Sequence, residues 1–187
     1  FIEGDSHTAN FIPMFNKINI NDSIYYNHKS NLFGNYDLIN NLQKSYNEVV
    51  YATNIDDKKS LFKLIEIQKK INKNIKILIL GTVPFVDSNI ESLKFFIKNI
   101  TCEFDTFKDI DNRNLNSLNL EIKNLINKNL NFNYFDPYNL ICPSKICKVF
   151  DKQRNLLTHR DDSHLTIEGS SLMIEGFMKF YNKTYKN

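Results

Sequence analysis

The chain has 187 residues, with 24 Lys and Arg against 21 Asp and Glu and a formal net charge of +3. This length suits one domain with a substantial core, and 42% hydrophobic and 13% aromatic residues exclude an intrinsically disordered chain. The small charge and the lack of a dense Lys/Arg stripe argue against nucleic-acid binding, and no apolar run reaches the ~20 residues of a membrane-spanning helix.

Apolar runs with β-propensity alternate with helical patterns along the chain, which predicts βαβ units and a parallel sheet. Strands are predicted at residues 1–3, 23–26, 48–53, 76–80 and 132–135, and helices at 8–17, 58–72, 112–129 and 166–181. The continuous apolar run 76–80 is typical of a strand covered by helices on both faces. We therefore expect one α/β domain over residues 1–187. The chain opens on Phe1 without an initiating Met, and we expect it to be a fragment of a longer protein.

A first candidate site is the run Gly4-Asp5-Ser6-His7, which follows the first predicted strand and precedes a helical pattern. A serine at such a turn exposes its hydroxyl beside backbone N–H groups, which suits a nucleophile. The alternative is that Asp5 or Ser6 caps the helix.

A second candidate site lies before the last predicted helix, where Asp161 stands three residues ahead of His164. A histidine with a carboxylate at this spacing can act as a base held by an orienting acid. Helix capping by Asp and Ser is again an alternative. So is a metal site, because His159, Asp161, Asp162 and His164 offer nitrogen and oxygen ligands within six residues.

Gly-Asp-Ser near the start and Asp-x-x-His near the end of an α/β domain of this length together resemble the SGNH (GDSL-type) hydrolase superfamily. The resemblance extends to residues 77–85, to 135–142 with Cys147, and to 158–166 with Gly169. That series is similar to the SGNH domain fused to the C-terminus of bacterial membrane acyltransferase-3 proteins, which O-acylate cell-surface polysaccharides. The implied fold is a three-layer α/β/α sandwich with a central, mostly parallel sheet, as in SGNH hydrolases and flavodoxin-like proteins.

The resemblance also implies roles for individual residues. Ser6 would attack an acyl carbonyl, His164 would take and return its proton, and Asp161 would hold the imidazolium. The backbone N–H of Ser6, Gly34 and the side chain of Asn54 would form the oxyanion hole. Gly34 could equally be a turn glycine, and a chance match at Asn54 is open in a chain with 28 asparagines.

The implied activity is serine-dependent O-acyl transfer, specifically O-acetyl transfer to a cell-surface polysaccharide such as lipopolysaccharide. The alternatives are a carbohydrate acetylesterase of the same fold and a non-catalytic glycan-binding module. The implied partners are a glycan acceptor and a membrane acyltransferase-3 domain that delivers the acyl group, with no metal, cofactor or nucleic acid. The implied location is the periplasm or the extracytoplasmic face, with attachment to the inner membrane through an upstream domain.

The cysteines and the remaining histidines complete the predictions. Cys142 and Cys147 flank a four-residue loop that a disulfide could close, and the spacing alone leaves two thiols possible. The resemblance and its extracytoplasmic setting favour the disulfide, with Cys102 as a buried free thiol. We expect a structural hydrogen-bonding role for His7. The two histidines outside any motif are expected to be ordinary surface or strand residues: His28 and His159.

Overall fold

The structure is a computed structural model. It describes residues 2–4, 6–18, 26–28, 40–41, 44–45, 49–55, 58–71, 74–84, 107–108, 113–126, 132–142, 146–147, 150–151, 156–160 and 163–186.

Nine strands occur in the described residues, and five of them form the central sheet. In chain order the strands are β1 (Ile2–Gly4), β2 (Tyr26–His28), β3 (Val50–Asn54), β4 (Lys76–Leu80), β5 (Phe107–Lys108), β6 (Phe132–Phe135), β7 (Ile146–Cys147), β8 (Phe150–Asp151) and β9 (Leu156–Leu157). The central sheet has the order β2-β1-β3-β4-β6, and its strands are all parallel. The pairs β5–β7 and β8–β9 are small antiparallel ribbons.

Seven helices are described from end to end in the described part of the chain. They are α1 (Ser6–Ala9), α2 (Ile12–Phe15), α3 (Lys58–Gln68), α4 (Arg113–Ile126), α5 (Tyr138–Ile141), α6 (Ile167–Ser171) and α7 (Ile174–Tyr185). None of the helices in the described ranges combines the length and apolarity needed to cross a bilayer.

The sheet separates two apolar clusters, because successive residues of a strand point to opposite faces. On one face Ala52, Leu78 and Phe135 pack with Phe11 of the α1–α2 segment and Phe177 of α7. On the other face, strand residues pack against α3 and α4 in a cluster that includes Tyr51, Ile77, Phe132, Leu61, Leu64 and Ile122. This arrangement is the predicted three-layer α/β/α sandwich, and its central sheet is wholly parallel.

The strand predictions hold best where the chain is continuously apolar. The strands at 76–80 and 132–135 are found as predicted, and β3 begins two residues later than the predicted start at 48. The predicted strand 23–26 meets the structure at Tyr26, where β2 begins, and residues 23–25 lie outside the described residues.

Two predicted helices are each divided in the structure. The helix predicted at 8–17 is wrong as a single element, because α1 ends at Ala9 and α2 starts at Ile12. Pro13 stands in the first turn of α2, where its missing N–H costs nothing, and proline disfavours continued helix before it. The helix predicted at 166–181 divides between α6 and α7, where Leu172 N–H donates to the Gly169 carbonyl in a tighter i→i+3 turn.

Strand order decides where a site can form. β1 lies between β2 and β3, so the chain crosses to one side of β1 and then to the other. In open parallel sheets this switch point leaves a crevice beyond the carboxyl ends of the strands. Ser6 follows the end of β1, and therefore it begins α1 at the mouth of that crevice.

Candidate active site

Ser6 and His164 are in contact although 158 positions separate them in the chain. The Nε2 atom of His164 lies 2.8 Å from Ser6 Oγ, and both residues are partly buried. The distance is that of a good hydrogen bond. If the hydroxyl donates, Nε2 is unprotonated and the ring proton is on Nδ1. This is the geometry in which a histidine can take the proton of a serine.

The backbone around His164 is held in a closed loop. His159 and Leu165 form an isolated antiparallel bridge, and Arg160 N–H donates to the His164 carbonyl at 2.9 Å. Thr166 N–H donates to the Thr158 carbonyl, also at 2.9 Å. The loop from 159 to 165 is thus closed at its base, which restricts where the imidazole can go.

Asn10 joins this loop to the segment that carries Ser6. Its side-chain Oδ1 accepts a hydrogen bond of 3.0 Å from Leu165 N–H, and Asn10 is 5% exposed. Ser6 lies four residues before Asn10, and His164 lies one residue before Leu165. The bond therefore fixes the two segments to each other directly beside the Ser6–His164 contact.

His159 anchors the same loop to the end of β4. Its Nε2 lies 3.1 Å from the Pro84 carbonyl, and its Nδ1 lies 2.8 Å from Thr158 Oγ1. A carbonyl only accepts, so Nε2 carries the proton and Nδ1 accepts from the threonine hydroxyl. His159 is 1% exposed and is a buried structural histidine, not a surface one. Its two nitrogens are engaged within the protein, which leaves it unsuited to the alternative metal site.

Asn54 lies at the carboxyl end of β3, on the same edge of the sheet as Ser6. Its Nδ2 donates to the carbonyls of Leu80 and Gly81, at 2.9 and 3.1 Å, and the residue is 5% exposed. The amide nitrogen of Asn54 is thus already hydrogen-bonded within the protein, and an oxyanion-hole role for Asn54 stays a prediction.

His7 stacks face to face on His164. The ring centroids are 4.8 Å apart and the ring planes differ by 8°. Sequence analysis expects only a structural hydrogen-bonding role for His7, because no motif spacing indicates which residue its ring would contact. Sequence analysis does not predict the supporting roles of Asn10 and His159 for the same reason. The Leu165 N–H that Asn10 binds and the Pro84 carbonyl that His159 binds each lie more than 70 residues away in the chain.

Comparison with known protein families identifies the family of this chain. The family described as "SGNH domain (fused to AT3 domains)" matches residues 23–179, well over half of the chain. The chain belongs to this SGNH family. The match begins after Ser6 and includes His164, so the position of Ser6 beside His164 is not part of what the family model matches. No curated protein gives a significant match to the chain.

A solved structure agrees with the SGNH domain in fold. It is the periplasmic domain of a lipopolysaccharide acetyltransferase from Salmonella ser. Paratyphi A, with a TM-score of 0.62 and 15% sequence identity. The match covers 100% of this chain and 83% of that structure. At this identity the likeness concerns the fold alone.

The structure describes only some of the remaining residues that the sequence predicts for the site of the SGNH domain. Asp161 and Gly34 lie outside the described residues, and so do Cys102 and the side chains of His28 and Cys147. Ser163 Oγ lies 3.4 Å from His164 Nδ1, the nitrogen predicted to face Asp161. Cys142 is fully buried, and a disulfide between Cys142 and Cys147 stays a prediction. Among the described residues, no three His, Cys, Asp or Glu side chains cluster as a metal site would require.

Proposed function

We propose that this SGNH domain is a serine-dependent O-acyltransferase that moves an acetyl or similar acyl group to a hydroxyl of a cell-surface polysaccharide. The observation that carries the proposal is the 2.8 Å contact between Ser6 Oγ and His164 Nε2. A non-catalytic glycan-binding module has no need to keep a serine hydroxyl on a histidine nitrogen.

The reaction has two halves that use the same pair of residues. Ser6 Oγ attacks the acyl carbonyl while its proton passes to His164 Nε2, and the tetrahedral intermediate collapses as that proton moves to the departing donor oxygen. The acyl group is then an ester on Ser6. A sugar hydroxyl attacks this ester, gives its proton to His164, and leaves as the acylated sugar while the proton returns to Ser6.

Other parts of the site have assigned roles in the proposal. Asp161 accepts a hydrogen bond from the Nδ1–H of His164 and holds the imidazolium, and the Ser6 N–H with Gly34 and Asn54 stabilises the developing oxyanion. A disulfide between Cys142 and Cys147 staples the segment that follows β6. The fusion named in the family description supports an upstream membrane AT3 domain as the acyl source, with this single domain on the extracytoplasmic side.

The serine claim is tested by covalent labelling. A fluorophosphonate probe should label the wild-type domain and spare Ser6→Ala. The matched control is Ser171→Ala, since Ser171 is an exposed serine of α6, and this variant should label as the wild type does. Equal labelling of Ser6→Ala and wild type, or labelling of neither, would contradict the proposal.

Transfer and hydrolysis are separated by the fate of the acyl group. The domain is given p-nitrophenyl acetate with and without a de-O-acetylated cell-surface polysaccharide. Acetyl appearing on the polysaccharide supports the transferase, whereas release only as free acetate supports the acetylesterase.

A further inference from the structure

The nucleophile segment supplies a second imidazole to the site. His7 directly follows Ser6 in α1, and its ring is nearly parallel to that of His164. Aromatic pairs stack with an offset at centroid separations of this kind. At about 3.5 Å between planes, a centroid separation of 4.8 Å means that the two parallel rings are offset sideways by about 3.3 Å and touch along their edges.

The stacking adds a restraint on the plane of the His164 ring to the contacts at its two nitrogens. Ser6 Oγ contacts Nε2 at 2.8 Å and Ser163 Oγ lies 3.4 Å from Nδ1, while the hydrogen bonds of Arg160 and Asn10 hold the neighbouring backbone. The torsion between Cβ and the imidazole is broad in histidine, so rotamer preference does not fix the ring plane. A parallel ring in van der Waals contact blocks that rotation.

The contact is also shielded from solvent on the side of the His7 nitrogens. Both ring nitrogens of His7 are buried.

We propose that His7 is a positioning residue, whose ring holds the His164 imidazole in the plane in which Nε2 meets Ser6 Oγ. The inference rests on the proposed function, because the ring plane matters only if His164 accepts the serine proton. It is the planar ring of His7 that does this work, and the ring nitrogens are not needed for it.

Three variants distinguish a planar restraint from simple space filling. His7→Phe keeps a flat ring, His7→Leu fills a similar volume without one, and His7→Ala removes the contact. The readout is the second-order rate of fluorophosphonate labelling, with the melting temperature of each variant measured in parallel. His7→Phe should stay within about threefold of wild type, and His7→Leu should be slower by about tenfold, a difference of about 1.4 kcal/mol in activation free energy.

The outcomes separate this inference from the proposed function. If Phe and Leu variants of equal melting temperature label at the same rate, the role of the ring plane is overturned. It is also overturned if His7→Phe is as slow as His7→Leu. If His7→Leu does not fold, His7→Met serves in its place, because methionine fills irregular space without a ring. Failure of Ser6→Ala to lose labelling would remove the proposed function and this inference together.

Discussion

Gly169 offers a sharp test of how the fold positions the base. It lies in α6, five residues after His164, and its Cα packs on the backbone of Thr158. A Cβ added at Gly169 would lie 1.9 Å from the Thr158 carbonyl oxygen and 2.7 Å from the carbonyl carbon. That carbonyl also accepts the 2.9 Å hydrogen bond from Thr166 N–H which closes the base of the His164 loop.

The cost of Gly169→Ala follows from this distance. Contacts below 3.0 Å are essentially never seen, so α6 and Thr158 must separate by about 1.1 Å. Both sides of the clash are backbone, and overpacking of this kind costs about 3 kcal/mol. For a chain of this size that lowers the melting temperature by roughly 6–12 °C. A misplacement of about 1 Å at the base of the His164 loop should also slow Ser6 labelling by about 100-fold.

The control is the glycine of the next helix. A Cβ at Gly176 in α7 would meet Leu140 Cδ1 at 2.6 Å, and this atom is the end of a flexible, partly buried side chain. Leu140 can rotate away, and alanine gains up to about 1 kcal/mol of helix propensity over glycine. Gly176→Ala should therefore keep the wild-type labelling rate and a melting temperature close to wild type. If Gly169→Ala matches Gly176→Ala in both urea unfolding and labelling, the inferred close approach of α6 to Thr158 is refuted.

Other contacts give predictions of smaller effect. Asn10→Ala leaves the buried Leu165 N–H without its acceptor. The free energy of unfolding, measured in urea, should fall by about 1–3 kcal/mol, and fluorophosphonate labelling of Ser6 should be slower. If both values match those of the wild type, the hydrogen bond between Asn10 and Leu165 is contradicted. Tyr134→Phe removes a buried hydroxyl that has no hydrogen-bond partner among the residues that the structure describes, so it should leave stability unchanged or raise it by about 1 kcal/mol, and a clear loss would contradict this. Burial, and secondarily Asp136, raises the pKa of Tyr134 above its usual range, so the folded state keeps this proton. As the pH rises above about 10 the wild type should lose stability relative to Tyr134→Phe, because only unfolded Tyr134 ionises.

The sequence predicts the sheet well because its strands carry the signal themselves. A strand buried on both faces must be apolar throughout, and Lys76–Leu80 nearly meets that condition, with only Lys76 polar. Helix ends are harder to predict, because distant contacts decide them. The chain between α1 and α2 turns at Asn10, whose side chain bonds a backbone group 155 residues away. No local pattern contains that partner.

The residues of the candidate site also differ in whether local sequence patterns predict them. Local motifs select Ser6 and His164 as candidates but leave helix capping open for each, and the family resemblance that the two motifs carry together predicts a nucleophile and a base. They do not identify His159 or Asn10 as supports, since a histidine outside a motif and one asparagine among 28 carry no distinguishing signal.

By itself, then, the sequence determined the alternation of strands and helices and the two chemical groups at the ends of the chain. The tertiary structure alone decided that Ser6 and His164 meet at 2.8 Å and that His7 lies flat against the imidazole. The physical reason is that periodicity and motif spacing are set by neighbours a few residues apart. A contact across 158 positions exists only after the parallel sheet has brought the end of β1 and the loop before α6 to the same edge.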